Sequence, residues 1–266
     1  MKWSKLIFTD LDGSMIGYDG RIDGISVALE TLYRLRVKVI PVTTKTLAEV
    51  SHLWSNIAPY DQLIAITEMG GAICAPRGYI VTDNPLRLEE FECKALGLPI
   101  REFEDRLERI LRDCDYIRLS KASPSEAKQI VLLPEPTAIL ATRRYFLEVL
   151  WSKDRRCILE REEDLRKEGL NIVVGDRFIH VGSHHGKIKA ILELLKNPII
   201  VGLESIGIGD SIMDQEMLEI TDKAIVIPNI DGSTKVKPRR GDYIIAPYPA
   251  PQGWVWASKL ITLNLV

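Results

Sequence analysis

Asp10 and Asp12 stand one residue apart at the end of the apolar run Leu6-Ile7-Phe8, in the stretch LIFTDLDGS. Such a run reads as a buried strand, and two carboxylates at its end are costly unless their charge is used there. Three other places collect related groups. Thr43-Thr44-Lys45-Thr46 follows the apolar stretch VKVIPV, Lys187 opens a helical pattern, and Gly209-Asp210-Ser211 ends the stretch SIGIG, with Asp214 one helical turn on. Acids hold a hard divalent cation through oxygen. Hydroxyl and ammonium groups hold phosphoryl oxygens. Taken singly, each feature has a plainer explanation: a turn for Asp-x-Asp, a helix cap for Thr43, a solvated lysine, a dipole-favoured cap for Asp210. Together, at the ends of successive strands, they fit one Mg²⁺-dependent phosphate site.

The elements that must position these residues follow from periodicity. The first third alternates strand and helix: strand 6–9, helix 24–36, strand 37–42, helix 46–54, strand 63–66. That rhythm predicts βαβ units and a parallel sheet. The glycines and proline of GGAICAPRGYIV (70–81) predict a hairpin. A charged middle section follows, with an amphipathic helix around 103–111, strands at 116–119 and 143–151, short helices near Pro124 and Pro134, a helix at 160–169, and paired strands on either side of Gly175-Asp176. The α/β rhythm returns with a helix from Lys187, a strand at 205–209, a helix at 211–220, strands at 224–227 and 243–246, and a last helix at 254–260. The expected fold is α/β, with a doubly wound, mostly parallel core from residues 1–83 and 184–266. An inserted α+β domain occupies 84–183. In such a sheet, ligands bind beyond the carboxyl ends of the strands, where the acids, hydroxyls and lysine fall.

Bulk properties set the bounds. Of 266 residues, 46% are hydrophobic and 27% charged, enough for a substantial core. The 35 basic and 37 acidic residues leave a net charge of −2, which gives no reason to expect nucleic acid or a membrane surface as partner. Met1–Lys5 leads into the first strand without a signal-type apolar region, and no apolar run reaches the length of a membrane span, so a cytoplasmic chain is expected. Cys74, Cys93, Cys114 and Cys157 have no metal-ligand spacing and read as reduced thiols filling the core. Asn and Gln together number ten, a scarcity that hints at a thermophile. His184-His185 and the basic run KVKPRR (235–240) read as solvated loops.

With these residues in place, the chain resembles the haloacid dehalogenase (HAD) superfamily of phosphatases. Asp10-Leu11-Asp12-Gly13 matches its first motif, Thr43 its second, Lys187 its third, and Gly209-Asp210 with Asp214 its fourth. An α/β insertion between the second and third resembles the C2 type B cap. Within that superfamily, PVTTKTLAEV, TEMGGAICAPRGY, Arg144-x-Phe146-x-Glu148, GDRFIHV and APYPAPQGW are similar to the mannosyl-3-phosphoglycerate phosphatases. The chain departs from the usual pattern at Ser14, Leu47, Met69, Gly186, Ile188 and Met213.

The resemblance implies roles. Asp10 would be the nucleophile and Asp12 the general acid and base, with Thr43 and Lys187 holding the phosphoryl oxygens. Mg²⁺ would be held by Asp10, the Asp12 carbonyl, Asp210 and Asp214. Thr44, Lys45, Gly70, Gly71, Arg144, Glu148, Arg177 and His180 would bind the rest of a small phosphorylated sugar-glycerate, in a monomer or homodimer. Two alternatives stay open: another sugar phosphate, glucosyl-3-phosphoglycerate among them, or a HAD-like domain that binds a phosphorylated ligand with little turnover.

Overall fold

The computed structural model describes residues 2–79, 82, 84–133, 135–183 and 186–266. The Ile80-Val81 arm of the expected hairpin, Pro134 and the His184-His185 pair lie outside the described residues. In chain order the strands are β1 (Lys5–Thr9), β2 (Val37–Pro41), β3 (Ala65–Thr67), β4 (Ala72–Pro76), β5 (Leu86–Leu88), β6 (Phe91–Ala95) and β7 (Ile117–Arg118). They continue with β8 (Leu147–Trp151), β9 (Asn171–Val174), β10 (Ile179–Gly182), β11 (Glu204–Gly209), β12 (Lys223–Val226) and β13 (Tyr243–Ile245).

These strands form three sheets. The central one is parallel throughout, in the order β13-β12-β11-β1-β2. Its strand order reverses at β1, which has β11 on one side and β2 on the other. Alternation along β1 sends Leu6 and Phe8 to one face and Ile7 to the other, all fully buried. On the first face they meet the helix Lys187–Leu194 through Ala190, Ile191 and Leu194, and Met217. On the second, Ile7, Val39, Ile206 and Ile208 share a core with the helices Ile25–Arg34 and Gln252–Thr262. Helices on both faces make this a doubly wound α/β core.

The other sheets are antiparallel, in the orders β3-β4-β6-β5 and β7-β8-β10-β9. β3 touches the parallel sheet through one bridge, Val42 to Ile66, and otherwise pairs with β4. The expected boundary at 83/84 falls inside this second sheet, because β5 and β6 pair back through β4. This second sheet therefore runs on to Ala95, the end of β6. The run of charges and short apolar segments at 86–95 obscured those two strands in the sequence. The third sheet is bounded by residues 117 and 182 and has its own core around Phe103, Leu107, Leu150, Leu165 and Val181.

The cysteines correct an expectation. Cys74 pairs with Cys93, and Cys114 with Cys157; no cysteine is free. Cys74 and Cys93 face each other directly in the β4–β6 register. A separation of 19 residues along the chain carries no sign of that adjacency.

One side chain shapes the junction between the second and third sheets. The strand expected over 143–151 begins only at Leu147, because the preceding backbone bonds elsewhere. The N–H groups of Tyr145, Phe146 and Leu147 donate to the Glu68 carboxylate, at 2.8 Å for the last two. Glu68 is 1% exposed and sits in a tight turn, Glu68–Gly70, whose three residues all have positive φ. Two of them are not glycine, a conformation that persists only when its surroundings hold it. Here the Glu68 N–H donates to the Lys45 carbonyl and the Met69 N–H to the Thr43 carbonyl. At Gly70 (φ +90°) a Cβ would lie 2.4 Å from the Gly186 carbonyl oxygen, so only glycine lets this turn reach the start of the Lys187 helix.

Glu68→Ala should therefore destabilise the protein by about 3 kcal/mol or more, since it strands three backbone donors and removes a carboxylate near Arg144. Thermal and denaturant unfolding measure this. A loss below about 1 kcal/mol would mean that water replaces the carboxylate freely.

Candidate active site

Three acids converge where the parallel sheet reverses order. Asp10 follows β1 directly and Asp210 follows β11. The Asp10 N–H donates to the Ile208 carbonyl at 3.0 Å, so the two acids leave adjacent, paired strands. Asp214 comes from a single 3₁₀ turn, Ile212–Asp214, rather than from the continuous helix expected at 211–220; the α-helix begins at Gln215. Its Oδ2 accepts from the Asp210 N–H (3.2 Å), the Ser211 N–H (3.0 Å) and the Ser211 hydroxyl (2.9 Å), a reciprocal cap that tightens the turn. Carboxylate oxygens of Asp10, Asp210 and Asp214 all lie within 4.8 Å of one another, and all three residues are buried.

Lys187 is the cation inside this cluster. Its Nζ lies 2.5 Å from Asp10 Oδ1 and 2.7 Å from Asp214 Oδ1. Burial would lower the lysine's pKa, but Asp10 and Asp214 outweigh burial and raise it, so the group stays an ammonium. One ammonium does not balance three acids. Burial pushes Asp10 well above the usual carboxylate range, against the pull of Lys187, and Asp214 and Asp210 add to the rise. Burial and then Asp214 push Asp210 up to about 6.

Asp210 is held on both oxygens. Ser14 donates its hydroxyl to Oδ1 at 2.8 Å and Tyr18 its hydroxyl to Oδ2 at 2.6 Å. Gly13 (φ +84°) makes this possible: a Cβ there would lie 2.5 Å from the Tyr18 ring and 2.6 Å from Asp210 Oδ2. Asp12 points away from the acid cluster, with 45% of its side chain exposed, and Lys45 Nζ lies 2.9 Å from its Oδ2. Glu49 backs Lys45 at 3.8 Å. Burial opposes the charge on Lys45, but Asp12 and Glu49 raise its pKa overall. Thr43 is 1% exposed and its hydroxyl accepts the Lys45 N–H at 3.2 Å. Thr46 and Glu49 close a capping box that starts the helix Leu47–Ile57 and sets where Lys45 emerges.

A cavity of about 490 Å³ opens above this floor, roofed by the third sheet. Of the residues singled out in the sequence, Asp10, Asp12, Thr44, Lys45, Arg144, Arg177, His180, Lys187, Ser211 and Met213 line it. Asp210, Asp214 and Thr43 do not, but each is hydrogen-bonded to a residue that does. Gly70, Gly71 and Glu148 lie outside its wall. At Gly71 a Cβ would meet Phe146 Cβ at 2.5 Å, so that glycine serves packing. Glu148 is fully buried, and its carboxylate accepts from Arg118 Nε at 2.8 Å and from Ser120. Nothing in the order of residues distinguishes a carboxylate facing a ligand from one facing an arginine.

Two lining groups carry unmet hydrogen-bonding capacity. Arg144 spans the junction, donating to the Thr44 carbonyl (3.1 and 3.3 Å) and the Leu147 carbonyl (3.1 Å), yet its buried Nε has no partner among the described residues. His180 Nδ1 is likewise buried without a partner among the described residues. Burial, then Arg144 and Lys187, lower the His180 pKa to about 3, so the ring is neutral. Arg177 is tied to the carbonyls of Val131 and Ile130. Sequence reasoning missed Tyr18, Glu68 as a junction anchor, and Lys235, which reaches the cavity from the supposed solvated run. Glu68 stands in the quoted stretch TEMGGAICAPRGY, but no spacing shows its role, and none marks Tyr18 or Lys235.

No protein-family model matches the chain. It is 36% identical to the mannosyl-3-phosphoglycerate phosphatase of Aeropyrum pernix, over 97% of this chain and 95% of that one. It is 32% identical to the glucosyl-3-phosphoglycerate/mannosyl-3-phosphoglycerate phosphatase of Persephonella marina, over 94% of each. A haloacid dehalogenase-like hydrolase from Bacteroides thetaiotaomicron has the same fold, with a TM-score of 0.71 at 16% identity, over 97% of this chain and 99% of that one. The convergent acids and lysine and this full-length similarity place the chain in the mannosyl-3-phosphoglycerate phosphatase family, as a phosphoric monoester hydrolase with the fold of the haloacid dehalogenase-like hydrolases.

Proposed function

We propose that the chain hydrolyses mannosyl-3-phosphoglycerate to mannosylglycerate and phosphate, with Mg²⁺, through an aspartyl-phosphate intermediate. The observation that carries the reading is Asp10, which lines the floor of the roofed cavity with its Oδ1 held by Lys187 at 2.5 Å. The donor set suits a hard cation: three buried carboxylates within 4.8 Å carry more negative charge than Lys187 balances. Asp10, Asp210 and Asp214 would hold it, with the Asp12 carbonyl as the remaining protein ligand. When bound, Mg²⁺ screens the phosphoryl group from an anionic nucleophile.

The remaining work falls to side chains. The free Asp10 oxygen forms a bond to phosphorus as the bond from phosphorus to the glycerate oxygen breaks. Lys187 and Thr43 hold phosphoryl oxygens as their charge shifts. Asp12, turned toward the cavity and oriented by Lys45, gives its proton to the departing alkoxide. It then takes a proton from water, which attacks phosphorus and frees the Asp10 carboxylate. The cavity is large enough for a disaccharide-sized organic portion. Arg144 and the neutral His180 line it with polar side chains, and Phe178 and Val149 with apolar ones. We place this activity in compatible-solute synthesis in a thermophile's cytoplasm. Two disulfides fit that setting, since intracellular thermophile proteins form them.

Phosphate release tests the reading with mannosyl-3-phosphoglycerate, glucosyl-3-phosphoglycerate and 3-phosphoglycerate, with and without Mg²⁺. The mannosyl compound should be hydrolysed fastest, and only with the metal. Equal rates on 3-phosphoglycerate would reject recognition of the sugar. Asp10→Asn should lower turnover by a factor on the order of 10⁴ or more, and Asp12→Asn by about 10²–10⁴. Each variant should remain folded by circular dichroism. A folded Asp10→Asn protein with near-wild-type turnover would overturn the nucleophile assignment.

The acid cluster also predicts a pH dependence. Between its ordinary value of 3.8 and about 6, folded Asp210 keeps a proton that the unfolded chain has lost. Its contribution to stability is therefore greatest at low pH and falls as pH rises through that window. Mg²⁺ should offset that loss. At a hundredfold excess over Kd it should add about 2.7 kcal/mol near pH 7.5, read as a rise in Tm, and little near pH 4.5, where protons compete. A Tm that responds equally to Mg²⁺ at both pH values would reject this acid set as the metal site.

A further inference from the structure

The roofed cavity has a neighbour of about 410 Å³, lined by Tyr18, Asp176, Asn229, Ile230, Asp231 and Lys235. Tyr18, Asp176 and Lys235 line both spaces, so these three side chains are the wall between them. They come from three separate parts of the chain. Tyr18 lies in the loop after β1, Lys235 in the loop between β12 and β13, and Asp176 in the turn between β9 and β10. The first two belong to the core and the third to the roof. Lys235 Nζ lies 2.9 Å from Asp176 Oδ2 and 5.3 Å from the centre of the Tyr18 ring. The Tyr18 hydroxyl in turn donates to Asp210. The Arg155 guanidinium donates to the carbonyls of Gly175 and Asp176 and fixes the roof turn from behind.

We propose that Lys235 and Asp176 form a latch that holds the roof closed over the active site, with the Tyr18 ring as its seat, and that substrate and product pass where this wall parts. The junction has two unlike sides. On one, the buried Glu68 carboxylate accepts hydrogen bonds from three roof amides, a junction closed to water. On the other, the joining pair is open to water, with side chains 40% and 79% exposed. An exposed pair holds by only a few-fold in an equilibrium constant. That weakness suits a contact that must break and re-form once per turnover, and the ring beneath Lys235 adds a cation–π contact that orients it. Beyond this wall lies an open surface depression, with Ile230 81% exposed at its edge, so a parted wall leads directly to solvent.

This inference rests on the proposed cap-roofed phosphatase reading, and the test separates the two. Lys235→Gln, Asp176→Asn and the charge-exchanged double variant Lys235→Asp with Asp176→Lys are compared with wild type. Substrate-free hydrogen exchange of the amides in 171–182 reads the latch without any assumption about substrate. Each single variant should exchange faster there by a few-fold, and the exchanged pair should return toward wild type. With mannosyl-3-phosphoglycerate, the single variants should raise KM several-fold more than they change kcat, and the exchanged pair should recover. High salt should raise the wild-type KM and leave that of the single variants little changed. Wild-type exchange in all three variants would overturn the latch. So would single-variant kinetics that the exchanged pair fails to rescue, because Lys235 would then be acting on the substrate's own charge. No turnover of mannosyl-3-phosphoglycerate by wild type would overturn the substrate reading alone, leaving the latch to be decided by exchange.

Discussion

The Lys187 ammonium between Asp10 and Asp214 is the interaction on which the rest of the site depends. Three carboxylates buried within 4.8 Å would repel strongly in a medium that screens poorly. Lys187 neutralises part of that charge at 2.5 and 2.7 Å, and the remaining excess raises Asp10 and Asp210 toward protonation. The site is therefore poised: stable enough to persist, and electrically incomplete in the direction that a divalent cation would complete. The surrounding bonds are consistent with this. Ser14 and Tyr18 orient Asp210, and the Ser211 turn orients Asp214, so the acids cannot swing apart to relieve their repulsion.

A second constraint is the path of force between core and roof. Glu68 reaches from a turn of three consecutive positive-φ residues to the backbone of 145–147. The same turn packs against Gly186, just before Lys187. Arg144, beside those amides, donates back to Thr44 on the active-site floor. The strained turn, the lysine and the roof are thus one bonded unit. That connection explains why Met69, at an unusual backbone conformation, is tolerated: its neighbours hold the turn in place on both sides.

Much of this was legible in the residue order. Apolar runs with period two or none gave the parallel strands, and 3.6-residue spacing gave most helices, because each element must bury one face or both. The acids, Thr43 and Lys187 could be joined into one site because strand ends in a doubly wound sheet share an edge. The break in rhythm marked the middle section, but nothing in the residue order showed that β5 and β6 pair back through β4.

What only the tertiary structure decided is the pairing of groups distant along the chain. Cysteine spacing suggested free thiols, while the β4–β6 register set Cys74 against Cys93. Glu148 and Arg144 lie four residues apart in one motif, yet one is spent on Arg118 and the other opens onto the cavity. The roles of Tyr18, Glu68 and Lys235 are not written in their neighbours along the chain, since they depend on Asp210, on residues 145–147 and on Asp176. Local sequence determines which strands and helices form and which residues sit at their ends, because those choices rest on near-neighbour sterics and burial. Which partner neutralises a buried charge depends on three-dimensional proximity, and sequence spacing does not encode it.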